Sequence, residues 1–301
     1  MRENFNIVLP NTSSSKEKSL SNPKSITSGL IKDIIKRGNE IRDQTIVIKL
    51  PSGVIDNDDL LTNFAENIQL LNFCGAKIFI VHDHTNMVNE TFKLLGFSEK
   101  LIDDVKVVDH RSLKITEMVL SGYINKLIVA KLCSAGCCAV GISGKDANLI
   151  QAKRSKILRK SLKGQDVIDV GFTSEPVIIN PEILLNFEES NIIPVISPIA
   201  SDDKGHTHLL DVNLTASIIS SSLDADHLML MNNGKNKDDF KVQDTKILHG
   251  ILDNSDSDQE TISLIEAAAS SIENSANIVH FVNATVPDAI LLSIFKNREE
   301  R

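Results

Sequence analysis

The 301-residue chain has 32 basic and 40 acidic residues, and its formal net charge of −8 argues against general nucleic-acid or anionic-membrane binding. An apolar content of 42% and a charged content of 24% are those of a globular protein with core enough for one large domain or two lobes. No apolar run approaches the roughly 18 residues of a membrane span. One Tyr and no Trp leave no stacking platform for nucleic acid.

Residues 11–25 are rich in Ser, Lys and Asn, and 1–25 lacks a sustained apolar core, which predicts a flexible lead-in over 1–25 rather than a secretory signal. Cys74, Cys133, Cys137 and Cys138 match neither a paired CxxC zinc pattern nor a disulfide framework, so free thiols and a cytoplasmic location are expected. Residues 26–42 read as a helix. Ile26, Leu30, Ile31, Ile34 and Ile35 share one face, and Lys32, Lys36 and Arg37 lie largely on another. That stripe must be buried on its own domain or on another subunit.

Thr45–Gly53, TIVIKLPSG, is an apolar run ending in one cation and closed by Pro51 and Gly53. It predicts a buried strand entering a loop, and the carboxyl ends of strands in α/β proteins are where ligands sit. Lys49 is thus the first candidate for chemistry, as a point charge that meets a phosphate. The alternative is a strand-end lysine that simply reaches solvent.

Helices are then expected over Asp58–Phe73 and Thr85–Leu95, with the strand Lys77–His82 between them. This alternation predicts a parallel sheet with covering helices. Leu113–Ser134 reads as helical but interrupted at Gly122. Strands are expected at Cys138–Ile142, Val167–Phe172, Ile192–Ile196, His206–Asp211, His227–Met231 and Asn277–Val282. Helices are expected at Val212–Leu223 and Thr261–Ile272, at Pro181 behind an Asn180 cap, and at Asp288–Phe295 opened by Pro287. Asn232–Asp244 and Asp253–Gln259 are loops by composition.

LKITEMVLSGYINKLIVAKL with AVGISGKDANLIQAK, in Leu113–Lys153, resembles the acetylglutamate kinases of the amino-acid kinase family. The likeness continues through DVGFTSEPVIINPEIL, NIIPVISPIASDDKGHTH and VNATVPDAILLSIF, so that it spans Thr45–Phe295. It implies a three-layer αβα sandwich with an open, mainly parallel central sheet. It also implies an acyl-amino-acid-binding lobe at 43–200 and a nucleotide-binding lobe at 201–301. The family reaction moves the γ-phosphoryl group of ATP, with Mg, to the side-chain carboxylate of N-acetyl-L-glutamate in arginine biosynthesis. Two anions must meet, so cations and backbone N–H donors have to surround the moving group. Relatives with an extra N-terminal helix use it to assemble, and Ile26–Ile41 resembles that helix, which implies a homo-oligomer.

Carried over residue by residue, the resemblance makes Lys49 the catalytic lysine of the first strand, but Pro51 and Ser52 stand where two glycines follow it. Pro51 has no N–H to donate. After Val81-His82 the family's glycine-rich loop becomes Asp83-His84-Thr85-Asn86. Lys106 replaces an arginine that holds the substrate carboxylate, keeping the charge and losing the fork. An organising aspartate becomes Asn213, a substrate-binding asparagine becomes Leu209, and the nucleotide loop reads Asn232-Asn233-Gly234-Lys235-Asn236. Leu264 falls at the second catalytic lysine, with Gln259-Glu260 at the glycines before it. Losing one electrostatic stabiliser costs on the order of 100–1000-fold in rate. The expectation is a kinase-like protein whose transfer activity is impaired or lost and which binds or regulates. The alternative is an active acylamino-acid kinase with altered substrate or rearranged cations. ATP with Mg is expected only if the chain is active.

The pairs His206-x-His208 and His82-x-His84 lack a third metal ligand by spacing. No Ser–His–Asp arrangement can be read from spacing. Lys145-Asp146 is read as a structural ion pair, and Cys137-Cys138 as core packing.

Overall fold

The computed structural model describes residues 28–83, 86–97, 100–102, 105–161, 164–234, 240–243, 248, 259–274 and 278–295. The lead-in 1–25, His84, Thr85, Lys235, Asn236, Asn277 and residues 253–258 lie outside them.

Strand β1 (Thr45–Leu50) is buried at every position, its apolar residues and the cation Lys49 alike. It lies between β2 (Lys77–His82) and β11 (His227–Asn232), pairing in parallel with both. β8 (Ile193–Ser197), then β5 (Ala139–Ser143), extends the sheet on one side, and β13 (Ile278–Asn283) and β12 (Phe240–Val242) extend it on the other. The seven strands run in the order β12-β13-β11-β1-β2-β8-β5, and only the edge strand β12 is antiparallel. The expected open, mainly parallel sheet is present, but the expected loop over Asn232–Asp244 contains β12.

Alternation along β1 sends its side chains to two separate cores. Ile46, Ile48 and Leu50 pack with α3 (Asp58–Phe73), α6 (Asn125–Ser134) and α10 (Ala289–Phe295). Val47 packs on the opposite face with α7 (Glu182–Glu189), α8 (Val212–Ser222) and α9 (Gln259–Glu273). Two helical layers around a sheet form the αβα sandwich. Each fully buried Ile, Leu or Val contributes roughly 1.5–3 kcal/mol, which fixes the register of β1 more firmly than its ladder does.

A feature the sequence did not disclose is the hairpin of β6 (Ile150–Ser161) and β7 (Gly164–Ile179). With β9 (Ile199–Ser201) and β10 (Thr207–Leu210) it closes a four-stranded barrel. Polar and basic residues dominate β6, which hides its strand pattern. The helix over Leu113–Ser134 is not interrupted at Gly122. From α5 (His110–Glu117) it passes through a π-helical stretch, Met118–Ile124, into α6 without leaving helical dihedrals at either junction. Pro181 is the N-cap of α7 rather than its first helical residue, although the Asn180 side chain still accepts from Glu182 N–H. Asp288 has φ of 57°, so α10 begins one residue later than Pro287 suggests.

The first helix, α1 (Ser28–Glu40), rests on its own chain at its carboxyl end. Gly38 approaches Cys74 Sγ, and Arg37 donates to the carbonyl of Phe295. Ile35 is exposed. Lys145 and Asp146 do not pair with each other. Lys145 reaches Glu117 at 2.8 Å, while Asp146 accepts from the backbone and hydroxyl of Ser143. Cys137 is buried, and burial with neighbouring thiols pushes its pKa up to about 11, whereas Cys138 is exposed and not part of the core.

Buried histidines tie the sheet together. His227 Nε2 bonds Gln44 Oε1, His227 Nδ1 meets His280 Nε2 at 2.9 Å, and His280 Nδ1 meets Ser293 Oγ. Burial is the main cause that lowers His227 to about 4 and His280 well below its ordinary value, and the Lys241 charge lowers both further. Asp226 partly opposes this at His227. His82 is also lowered to about 4 by burial. The unfolded chain therefore binds protons that the folded chain refuses, and stability is lost as pH falls from about 6.5 toward 4. Urea midpoints should be level between about pH 7 and 8 and fall between about pH 6.5 and 5, above the main carboxylate range. A midpoint unchanged across that window would contradict the neutral buried histidines.

Candidate functional site

The carboxyl ends of β1, β2, β8, β5, β11 and β13 form one rim of the sheet. Lys49 is 1% exposed there, on the same face as Val47 and under α8 and α9. It does not reach solvent. Its Nζ lies 3.5 Å from Asp83 Oδ2 and 3.4 Å from the carbonyl of Met231, on the neighbouring strand β11. Asp83, 14% exposed at the side chain, is held beside Lys49 by its own backbone. Its N–H donates to Leu50 O, and its carbonyl faces His82 Nδ1 at 3.0 Å. A carboxylate thus sits on the cation expected to meet a phosphate.

The turn after β1 is occupied too. Pro51 precedes the short α2 (Ser52–Ile55), and Gly53 N–H donates to Asn233 Oδ1 at 2.9 Å. A Cβ on Gly53 would collide with that side chain, so glycine here permits a close internal contact. Asn232 and Asn283, at the ends of β11 and β13, turn their amide oxygens onto Gly234 N–H and Thr285 N–H. Three asparagines along this part of the rim thus accept from backbone N–H groups, Asn232 and Asn283 within their own loops and Asn233 across to the turn after β1.

Asn213 lies in the first turn of α8 and is 6% exposed. Its Nδ2 donates to Ser263 Oγ in α9, and that hydroxyl lies 3.4 Å from Oδ2 of Asp211, the N-cap of α8. Asn213 Oδ1 has no hydrogen-bond partner among the described residues. Leu264, next to Ser263, is 1% exposed and packs in the core with Val47 and Leu228. The position matched to the second lysine is therefore hydrophobic interior. Leu209 lies in β10, paired with Ile199 and Thr173. Lys106 lies in the strand Val105–Val107, opposite Leu101, and its side chain is outside those described.

The rim carries a second cation that the sequence did not single out. The π-helical stretch delivers Asn125 and Lys126 to the middle residues of β5 and β8, where both lie close to His82 at the end of β2. Asn125 Nδ2 donates to Val195 O, and Lys126 Nζ donates to Gly141 O and Asn125 Oδ1. His82 Nε2 lies 3.2 Å from Ser197 Oγ and within reach of Asn125 Nδ2. With Nδ1–H donating to the Asp83 carbonyl, Nε2 is the acceptor, which fits a neutral imidazole. Burial is the main reason its pKa is low, and the Lys126 charge adds to it against Asp83. The available signal was Gly141 inside a strand, which marks close approach of another group.

Ser174, His208 and Asp202 form an array that spacing concealed. Ser174 Oγ lies 2.7 Å from His208 Nδ1, and His208 Nε2 lies 3.3 Å from Asp202 Oδ2. Ser174 is buried, so the array is a strut in the barrel rather than an open nucleophile. The same carboxylate accepts from His206 Nδ1 and from the N–H groups of Lys204 and His206. Burial alone would raise the Asp202 pKa. The bonds from His206, His208 and Lys204 outweigh it and hold the group well below the carboxylate range. His206 and His208 therefore share a carboxylate, and no metal-binding group of three such side chains occurs among the described residues.

These residues do not fit a bound polyphosphate. Asp83 places negative charge on Lys49, and Asn233 occupies the Gly53 N–H.

The amino acid kinase family model matches residues 44–283. An acetylglutamate kinase from Campylobacter hominis is 33% identical over 277 residues, covering 90% of this chain and 94% of that protein. N-acetylglutamate synthase from Neisseria gonorrhoeae, complexed with coenzyme A and N-acetyl-glutamate, superposes with a TM-score of 0.71 at 18% identity. That match covers 88% of this chain, which spans 60% of the synthase chain. Carbamate kinase from Giardia lamblia bound to AMP-PNP gives a TM-score of 0.55 at 15% identity, covering 83% of this chain and 96% of that one. The two structural likenesses establish the fold. No described helix is long and apolar enough to cross a membrane.

A Cβ on Gly141 would collide with the Asn125 amide and the Lys126 ammonium. Gly141→Ala should lower unfolding free energy in urea by about 1–3 kcal/mol, the range for overpacking. An unchanged midpoint would show that the Asn125 contact is loose.

Proposed function

The chain belongs to the amino acid kinase family, and from that premise we propose that it is an acetylglutamate kinase-like protein in which phosphoryl transfer is lost. The fold then serves ligand binding or regulation. The observation that supports this reading best is the buried Lys49, neutralised by Asp83 at the end of the central strand. Phosphoryl transfer is driven by electrostatic stabilisation of charge developing on the phosphoryl oxygens. A lysine already bound to a carboxylate has little field to offer an incoming anion. Leu264 in the core and Asn213 bonded to Ser263 extend the deficit to the second half of the site.

Under this proposal residues 43–200 descend from the acyl-amino-acid lobe and 201–301 from the nucleotide lobe. Lys49 is the inherited catalytic position, and Lys106 an inherited contact for an acyl amino acid such as N-acetylglutamate. Relatives named as kinases imply ATP use with Mg, and this chain retains the ancestry without the fit. The amino-terminal helix is a candidate assembly element of a homo-oligomer, and Ile35 is an exposed apolar residue on it. The charge balance and the scarcity of aromatics point away from nucleic acid and membrane partners.

Lys126 favours one second reading, an active kinase with rearranged cations, because it brings an ammonium group to the same rim. The two readings separate in one assay. ADP release from Mg-ATP, with and without N-acetylglutamate, should equal the protein-free rate. Acid-dependent release abolished by Lys49→Ala or Lys126→Ala would overturn the loss of transfer. Release unchanged by both substitutions would indicate a contaminant.

A further inference from the structure

Lys49 cannot be left alone where it is. An ammonium group 1% exposed beneath two helices needs a counter-charge, and Asp83 Oδ2 at 3.5 Å supplies it. The Asp83 backbone that carries the carboxylate is tethered from both sides, by its N–H to Leu50 O and by its carbonyl to the His82 ring. The carboxylate's effective concentration at Lys49 is that of a group in the same molecule, far above any free ligand. Four residues along from Lys49, the Gly53 N–H is likewise taken by Asn233 Oδ1 at 2.9 Å. A carboxylate oxygen and an amide oxygen of the chain thus stand on two donors, the Lys49 ammonium within β1 and the Gly53 N–H in the turn after it.

We propose that Asp83 is an internal counter-anion that closes the Lys49 site to phosphate-bearing ligands, making it the residue that excludes nucleoside polyphosphates. The inference rests on the reading of this rim as a disabled kinase site and names what disables it. A phosphate approaching Lys49 must either displace a tethered carboxylate or bind beside it. Displacement leaves Asp83 without its ion pair, and binding alongside it places like charges together. Removing one charge at position 83 should open the site, with Asn233 setting a smaller second barrier.

The test uses the full chain and inorganic pyrophosphate and ADP as probes, measured by titration calorimetry. Wild type should bind both weakly. Asp83→Asn keeps the shape of the side chain and should bind pyrophosphate at least tenfold more tightly. Asp83→Asn combined with Asn233→Ala should gain further. Adding Lys49→Met to Asp83→Asn should return affinity to the wild-type level. If Asp83→Asn does not fold, Asp83→Gly removes the same charge with the smallest side chain and is held to the same tenfold gain. Wild-type affinity equal to that of the folded variant would overturn the proposal, as would a gain that survives Lys49→Met. ADP release measured on wild type keeps the two claims apart. Turnover there defeats the loss of transfer, whereas no turnover and no gain in either variant defeats only the role of Asp83.

Discussion

A buried charge at the end of the central strand is the constraint around which this structure is arranged. Ile46, Val47, Ile48 and Leu50 of β1 are satisfied by apolar packing and their ladder, but Lys49 brings an ammonium group into the same interior. Isolated, such a group is far too costly to bury, so a partner must be built into the fold. Asp83 meets that need from the adjacent strand end, and its register is fixed because Leu50 pairs with His82 in the β1–β2 ladder. The packing that makes β1 the centre of the sheet therefore also places the carboxylate on the lysine.

Charge is handled similarly along the rest of the rim. His82 stays neutral between the Asp83 carbonyl, Ser197 and Asn125. Asp211 is committed to capping α8, and Asn213 and Ser263 close the contact between α8 and α9. Asn232, Asn233 and Asn283 serve nearby backbone N–H groups. Polar groups that a kinase would direct toward a ligand are here spent on internal hydrogen bonds. Neutral or self-paired groups stabilise the loops, and on the proposed reading they provide little electrostatic stabilisation for transferred phosphate.

Much of the fold was legible because its signals are local. The runs TIVIKL and KIFIVH contain only their strand's residues, and the expected helix Asp58–Phe73 has the bounds observed. The barrel strand Ile150–Ser161 was not legible, because a charged, non-alternating sequence is held by pairing to distant strands rather than by its own pattern. The π-helical turn was equally hidden, since Gly122 reads as a break when only propensity is consulted. In the site, Lys49 and the altered loops were visible as residue types, but the Lys49–Asp83 pair depends on the register of two strands. The Lys126–Gly141 contact spans 15 residues and the Ser174–His208 contact 34, separations that no short motif encodes.

The central claim is that Lys49 and Asp83 form a coupled pair that keeps the rim closed to anions. A double-mutant cycle tests it most directly, with urea unfolding of wild type, Lys49→Met, Asp83→Asn and the double variant. The account predicts a coupling energy on the order of 1–3 kcal/mol in favour of the native pair. Substitution effects that add to within about 0.3–0.5 kcal/mol would show two independent groups and contradict it.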